Sequence, residues 1–345
     1  MRSTVFFLLC VIGLLPLTSL AQNSPEPPLT TQDDIDLITQ CVLNEVIAGD
    51  KDRTIEELRH YCEQLDDAKQ LSQLDKRIAR ESVGLKNRNV LTPHQRNYIL
   101  PVSYVSHPNS RPFSGLTGIS DEGEPLDHVE VKYQLSLKVP LYTGFSDKDQ
   151  AIFMGFTLQS FWQFYNKDIS SPFRETNYEP ELFWINFLDD ENVLWGDEMA
   201  FALGISHQSN GRSQPNSRSW NRVYANFLWE NRGFVFSLKP WYRLPEDRKD
   251  DILEAKGDDN PDIHKYMGYF EFSGIYRLEE HEFSFMLRNN LNSSNRGAIQ
   301  LDWSFPAWGK LRGYVQYFNG YGESMIDYNA DIERIGIGIL LTDLL

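Results

Sequence analysis

After its first twenty-one residues this chain has no hydrophobic run near the roughly 18 residues that a membrane-spanning helix needs. Ile152–Leu158 and Ile335–Leu341 are short and broken by glycine. A helical membrane protein is thereby excluded. A membrane barrel is not, because each of its strands carries only a weak hydropathy signal. Positive charge is also scarce. Lys and Arg number 33 against 49 Asp and Glu, a formal net charge of −16. That balance argues against a nucleic-acid partner, which calls for a basic patch, and suits solubility or divalent cations. Cysteine is rarer still, with three residues, too few for a disulfide scaffold.

What is present starts with a leader. Arg2, the apolar run Val5–Leu17 and the small-residue end Ser19-Leu20-Ala21 read as a secretory signal peptide over residues 1–21. Cleavage before Gln22 removes Arg2, taking the charge from −16 to −17. It also removes Cys10 and leaves Cys41 and Cys62. Residues 22–94 are expected to form a Pro-rich leader, a helical hairpin over 32–82 and a linker. Ile35, Ile38, Val42 and Val46 recur at helical spacing up to Gly49, and Thr54-Ile55-Glu56-Glu57 opens a second helix with a capping box. An antiparallel hairpin sets Cys41 and Cys62 at similar heights. A disulfide between them, permitted in an exported compartment, stabilises by about 3 kcal/mol.

From about Asn97 the texture becomes alternating strands. Val129, Val131, Tyr133, Leu135, Leu137, Val139 and Leu141 share one face, and Glu130, Lys132, Gln134, Ser136 and Lys138 the other. Twelve such stretches are expected, near 96–105, 127–141, 149–165, 177–188, 192–209, 219–231, 233–243, 265–278, 281–291, 297–305, 308–318 and 330–342. An even number of strands about ten residues long suits a closed barrel in a bacterial outer membrane, because closure removes unpaired edges. A soluble β-sandwich fits less well, since several strands are longer than it needs. Trp229, Trp241, Tyr242, Trp303 and Trp308 are expected in the interfacial girdles. The expected fold is therefore a 12-stranded antiparallel transmembrane β-barrel over residues 95–345, preceded by the hairpin extension.

The stretch Met199–Trp229 carries the chemistry. Met199, Phe201, Leu203 and Ile205 lie on one strand face, which His207 and Ser209 continue. Asn221, Val223, Ala225, Phe227 and Trp229 share a face of the next strand. Pairing His207 with Asn221 sets Ser209 opposite Ser219, with directly opposed Cβ atoms roughly 5 Å apart. Ser209 then serves as nucleophile, His207 as base and Asn221 as the group orienting the imidazole. A neutral amide in the third position avoids the desolvation cost of a carboxylate on a lipid-facing wall. Singly, each residue is ordinary. Together they interrupt an apolar face with polar groups of matching roles, which at a membrane surface marks function.

His207-Gln208-Ser209-Asn210-Gly211-Arg212-Ser213 and Ser217-Arg218-Ser219-Trp220-Asn221-Arg222 resemble the active-site signature of the outer-membrane phospholipase A family. Three further blocks carry the same resemblance: Ser170–Pro180, Asp258–Ile263 with Lys265–Tyr269, and Gly320–Ser324. The likeness covers roughly residues 95–345 and leaves the hairpin outside. It implies a calcium-dependent, dimeric enzyme hydrolysing acyl esters of membrane phospholipids at sn-1 and sn-2, and of lysophospholipids, with its active site on the outer-leaflet side. It implies an oxyanion hole from the Gly211 amide together with calcium. The implied calcium ligands are the Arg212 carbonyl, the Ser217 hydroxyl and Asp259, with Ser170 from the other subunit. The alternatives are an outer-membrane lipopolysaccharide deacylase and a non-enzymatic channel or adhesin barrel.

Overall fold

The computed structural model describes residues 90–113, 126–143, 150–188, 198–251, 253–309 and 311–342, with 54–59 and residues 39, 41–43, 46, 62 and 77. The signal peptide, the Pro-rich leader and most of the hairpin lie outside the described residues. The chain divides into two units, Met1–Arg59 and His60–Leu345. In the first, the capping box forms as expected. Glu57 Oε2 accepts from the Thr54 amide at 2.7 Å, and the Glu57 amide donates to Thr54 Oγ1 at 3.2 Å. Cys41 and Cys62 are both disulfide-bonded.

The second unit is a closed antiparallel barrel. A two-residue strand, β1 (Thr92–Pro93), pairs with the far end of β3. The barrel wall is β2 (Asn97–Val105), β3 (Val129–Tyr142), β4 (Gln150–Trp162), β5 (Phe173–Leu188), β6 (Glu198–Ser209), β7 (Ser219–Asn231), β8 (Phe234–Leu244), β9 (Phe270–Leu278), β10 (His281–Asn289), β11 (Gly297–Trp308), β12 (Leu311–Tyr321) and β13 (Asp331–Thr342). Each strand pairs with its sequence neighbours. The β13–β2 pairing, with Ile335 opposite Tyr104 and Ile337 opposite Val102, closes the ring. The twelve expected strands are these, with most edges within three residues of those expected and two moved further; the expected start of the fifth, at 192, lies outside the described residues.

β5 starts at Phe173, four residues earlier than the alternation suggests. Its register with β4 shifts between Phe161 and Trp162, which face Glu175 and Phe173 and leave Arg174 as the extra residue. The bulge turns consecutive Arg174 and Glu175 inward, so the polar and apolar positions stop alternating there. β9 starts five residues later than expected. Residues 265–267 instead belong to a single helical turn, α1 (His264–Met267). Ile263 and Met267, four apart, both bury against Trp220 and Trp241.

The wall is apolar outside and polar inside. Leu137, Met154, Leu203, Ile205, Ile335 and Ile337 are 41–54 % exposed on the chain alone, whereas Lys132, Ser136, Glu175 and Gln316 are at most 2 % exposed. A bilayer covers the first set, and the lumen holds the second. Trp303, Trp308 and Tyr242 are exposed as expected of girdle residues, but Trp241 is 8 % exposed and packs inside with Trp220. Neighbours in a strand face opposite ways, so Trp241 and Tyr242 cannot share the outer wall.

Buried charge fills the lumen. Arg174 donates to both Glu130 oxygens at 3.1 Å and to Asp327 at 2.6 Å. Arg334 donates to both Glu323 oxygens at 2.7 and 2.8 Å, and Lys132 adds a donor to Glu323 at 3.0 Å. A polar cavity of about 210 Å³, with Lys132, Glu323 and Gln300 in its lining, lies among these side chains. Removing one member of such a network leaves a buried partner uncompensated. Arg174→Met is therefore expected to cost about 3–5 kcal/mol in urea unfolding in lipid vesicles. A midpoint equal to that of the parent protein contradicts the pairing.

Candidate active site

At one end of the barrel three hairpin turns have two residues each, as in Arg232-Gly233 between β7 and β8. The other end carries the long loops, including 210–218 after β6 and 245–269 after β8. These two loops meet. Ser217 Oγ donates to Asp259 Oδ2 at 2.6 Å, Gln214 Nε2 donates to Asp259 Oδ1 at 2.7 Å, and the Ser219 amide donates to Asn260 Oδ1 at 3.0 Å.

The β6–β7 register places His207 opposite Asn221 and Ser209 opposite Ser219, as the sequence suggests. His207 Nδ1 and Asn221 Oδ1 are 2.8 Å apart. The face they share is the outer one. Leu203, Ile205 and Val223 are 36–51 % exposed, while Ala202, Ser206, Trp220 and Arg222, on the opposite face, are at most 7 % exposed. His207 is exposed, and Ser209 and Asn221 are half-buried. Inside, the ring of Tyr224 lies over Gly204, where a Cβ would stand 2.4 Å from it, and its hydroxyl donates to Glu181 at 2.8 Å. Packing of this kind stiffens the wall behind the site.

Ser209 and His207 lie two residues apart on one strand face, and no hydrogen bond joins them among the described residues. The Ser209 hydroxyl instead accepts from the Gly211 amide at 3.1 Å. Gly211 has φ of +62°, in the left-handed region that glycine tolerates. That conformation aims its N–H back at the serine, where an oxyanion donor belongs.

Two residues that sequence reasoning passed over organise the loop. Asn210 accepts from the Arg218 amide at 2.9 Å and donates to the Asn216 carbonyl at 2.9 Å, spanning the turn. Glu175, fully buried, accepts from Arg212 Nε at 3.0 Å and from the Ile326 amide at 3.1 Å. Arg212 also donates to the Arg174 carbonyl, so its side chain is anchored away from the site. The Ser170–Pro180 block contains Glu175, but nothing in its spacing distinguishes that carboxylate as an anchor.

Of the expected calcium ligands, Ser217 and Asp259 are in contact, and Ser219 Oγ lies 3.5 Å from the same Asp259 oxygen. Ser170 sits in the β4–β5 loop with φ of +62°, its amide donating to the Lys167 carbonyl at 3.3 Å. It makes no hydrogen bond to Arg212, Ser217 or Asp259 within the chain. The donors that do meet are hydroxyl and carboxylate oxygens, beside the loop whose backbone includes the Arg212 carbonyl. They fit a hard cation that accepts oxygen in flexible geometry. Burial opposes ionisation of Asp259, but donors from Lys249, Ser217 and Gln214 outweigh it and hold the carboxyl below its ordinary value of 3.8. It is a carboxylate at neutral pH. The Lys249 ammonium already rests on it, a contact with no counterpart among the ligands expected from sequence. Among the described residues no three His, Cys, Asp or Glu side chains cluster as a metal site.

A twelve-stranded barrel with an oily outer wall and a histidine, serine and amide on that wall defines an outer-membrane protein with a lipid-facing candidate hydrolase site. Residues 74–341 match the family model described as Phospholipase A1. Phospholipase A1 of Klebsiella pneumoniae is 39 % identical over 258 residues, 75 % of this chain and 84 % of that protein. The outer membrane phospholipase of Salmonella typhi, solved as a dimer with bound calcium, superposes with a TM-score of 0.65 at 37 % identity, covering 75 % and 94 % of the two chains. An active-site mutant of outer membrane phospholipase A from Escherichia coli, with asparagine replaced by alanine, has a TM-score of 0.67 at 36 % identity, covering 78 % and 98 %. The chain belongs to the phospholipase A1 family and is a phospholipase, a carboxylic ester hydrolase of the outer membrane.

Proposed function

We propose that this phospholipase cleaves phospholipid acyl esters by a Ser209–His207–Asn221 mechanism that depends on calcium and on a homodimer. The observation that carries this reading is the 2.8 Å His207–Asn221 contact on the bilayer face, two residues along the strand from Ser209. Substrate approaches from the lipid side, so its acyl chains stay among Leu203, Ile205 and Val223 while the ester reaches the rim.

Ser209 Oγ attacks the ester carbonyl, and its proton passes to His207 Nε2. The imidazolium is held by Asn221 Oδ1, which accepts from Nδ1–H. The Gly211 amide, on Ser209 Oγ at rest, lies within a small shift of the carbonyl oxygen as negative charge develops there. Calcium, when bound, supplies positive charge beside that oxyanion. Collapse of the tetrahedral species breaks the ester C–O bond, and His207 returns its proton to the leaving lysophospholipid oxygen. Water then attacks the acyl-serine with the same base, releasing fatty acid and restoring the hydroxyl.

Ser217, Asp259 and the Arg212 carbonyl would hold the ion, with Ser170 supplied by the second subunit. Ligands divided between two chains make one subunit a poor calcium binder, which links dimerisation to activity. The bound calcium and the dimer of the Salmonella typhi relative support this reading, as does the alanine-for-asparagine active-site mutant of the Escherichia coli protein. The lipid-facing edge of the site is proposed as the subunit interface, the long-loop end as the outer-leaflet side, and residues 22–94 as a periplasmic extension.

Purified protein in detergent micelles tests the proposal. Fatty acid is expected from defined diacyl phospholipid and from lysophospholipid in proportion to added calcium, and not from lipid A. Release from lipid A alone favours the deacylase, and no release from either lipid contradicts the enzyme reading.

A further inference from the structure

Asn221 makes a second hydrogen bond that the serine mechanism does not use. Its Nδ2 donates to Glu246 Oε1 at 3.1 Å. The β7–β8 register accounts for the approach, because Leu244 lies opposite Asn221 and Glu246 follows two residues on, past Pro245, where the strand has ended. We infer that Glu246 is a positioning residue for the catalytic histidine, fixing through the Asn221 amide which nitrogen of His207 carries the proton. This rests on the Ser209–His207–Asn221 reading.

An amide has an acceptor end and a donor end and can be placed either way round, and a neutral imidazole can protonate either nitrogen. Asn221 alone therefore leaves two self-consistent arrangements. In one, Oδ1 accepts from His207 Nδ1–H and Nε2 is left as the base. In the other, the amide is reversed, Nδ1 accepts, and Nε2 carries the proton and cannot take one from Ser209. An ionised carboxylate accepts only. With Glu246 against it, the amide must turn its NH₂ to Glu246 and its oxygen to His207, and only the first arrangement survives.

Burial and the like charges of Asp258 and Asp259 raise the Glu246 carboxyl above its ordinary value, while the Asn221 hydrogen bond and Arg243 favour the ionised form. Arg243, three residues before Glu246, donates its own hydrogen bonds to Asp258 at 2.5 Å and to the Pro261 carbonyl at 3.2 Å. Lys249 is taken by Asp259. The arrangement also places a negative charge one amide away from the forming imidazolium while keeping it off the lipid-facing strands, in the loop beyond β8. Direct carboxylate contact at position 221 would put that charge on the bilayer wall, with its desolvation cost.

Three variants in purified, calcium-loaded enzyme test it. Glu246→Ala is expected to lower kcat about tenfold at unchanged KM, the loss of one orienting hydrogen bond. Glu246→Gln, which keeps an acceptor oxygen, is expected to stay within about threefold of the parent. Glu246→Lys offers only donors, favours the reversed amide and is expected to lose more than Glu246→Ala. Nitrogen-15 NMR of histidine-labelled protein in micelles reads the same switch without turnover: Nδ1–H in the parent, a mixed or Nε2–H tautomer in the Ala and Lys variants.

In an Asn221→Ala background, Glu246→Ala is expected to cost nothing further, since its route to His207 is gone. Undiminished kcat and an unchanged His207 tautomer in Glu246→Ala overturn the inference, and so does an undiminished loss in the Asn221→Ala background. Asn221→Ala by itself separates the two levels. If it leaves kcat intact, the Ser-His-Asn reading falls. If it is damaging while Glu246→Ala is silent, only the role of Glu246 falls.

Discussion

Replacing Ser209 by alanine is expected to lower kcat for phospholipid by about 10⁴-fold or more, with KM and thermal unfolding little changed. The size follows from what the hydroxyl does. It is the atom that bonds to the acyl carbon, and no other side chain on that face can substitute. Ser219 is its cross-strand partner, but its hydroxyl faces Asp259 at 3.5 Å rather than His207. What remains after the substitution is the Gly211 amide and the binding of the ester, which do not make an acyl-enzyme. A residual rate within tenfold of the parent would require a different nucleophile.

Withdrawing calcium, or removing its carboxylate ligand with Asp259→Ala, is expected to lower kcat by about 10²–10³-fold, the loss seen when one main source of oxyanion stabilisation is removed. Asp259 is the only carboxylate in the proposed ligand set, so its loss is not made good by the neutral oxygens of Ser217 and Arg212. Lys249 sharpens the prediction. Its ammonium rests on Oδ1 of the carboxylate proposed to hold the ion, so calcium binding would displace a tethered cation. Lys249→Gln is expected to shift the calcium midpoint for activity to lower concentration, while Asp259→Ala shifts it upward or abolishes the dependence. If chelation leaves phospholipid hydrolysis intact, the calcium proposal fails, although the serine mechanism survives.

How far these features were legible in the sequence differs by residue. The His207–Asn221 pair could be read because two alternating strands joined by one loop allow few registers, and a one-residue slip turns every side chain to the other face. The outward placement of Leu135, Leu137 and Leu141 was legible for the same reason. Asp259 came only through resemblance, since a polar residue in a long loop has no periodicity to mark it. Glu246, Lys249 and Glu175 act through loop and bulge contacts between residues far apart in the chain, and alternation is silent about those. Trp241 was misplaced when its residue type was given more weight than its parity. Met267 was taken into a strand, although its four-residue spacing from Ile263 already fitted one helical turn.

The account depends on the catalytic serine standing on the wall that meets lipid. Reaction of the purified, calcium-loaded protein with a long-chain fluorophosphonate, followed by peptide mass mapping, tests this most directly. A single adduct on the peptide containing Ser209 is predicted, lost in Ser209→Ala and sharply slowed in His207→Ala. An adduct on another serine, or continued phospholipid hydrolysis without any adduct at Ser209, would contradict it.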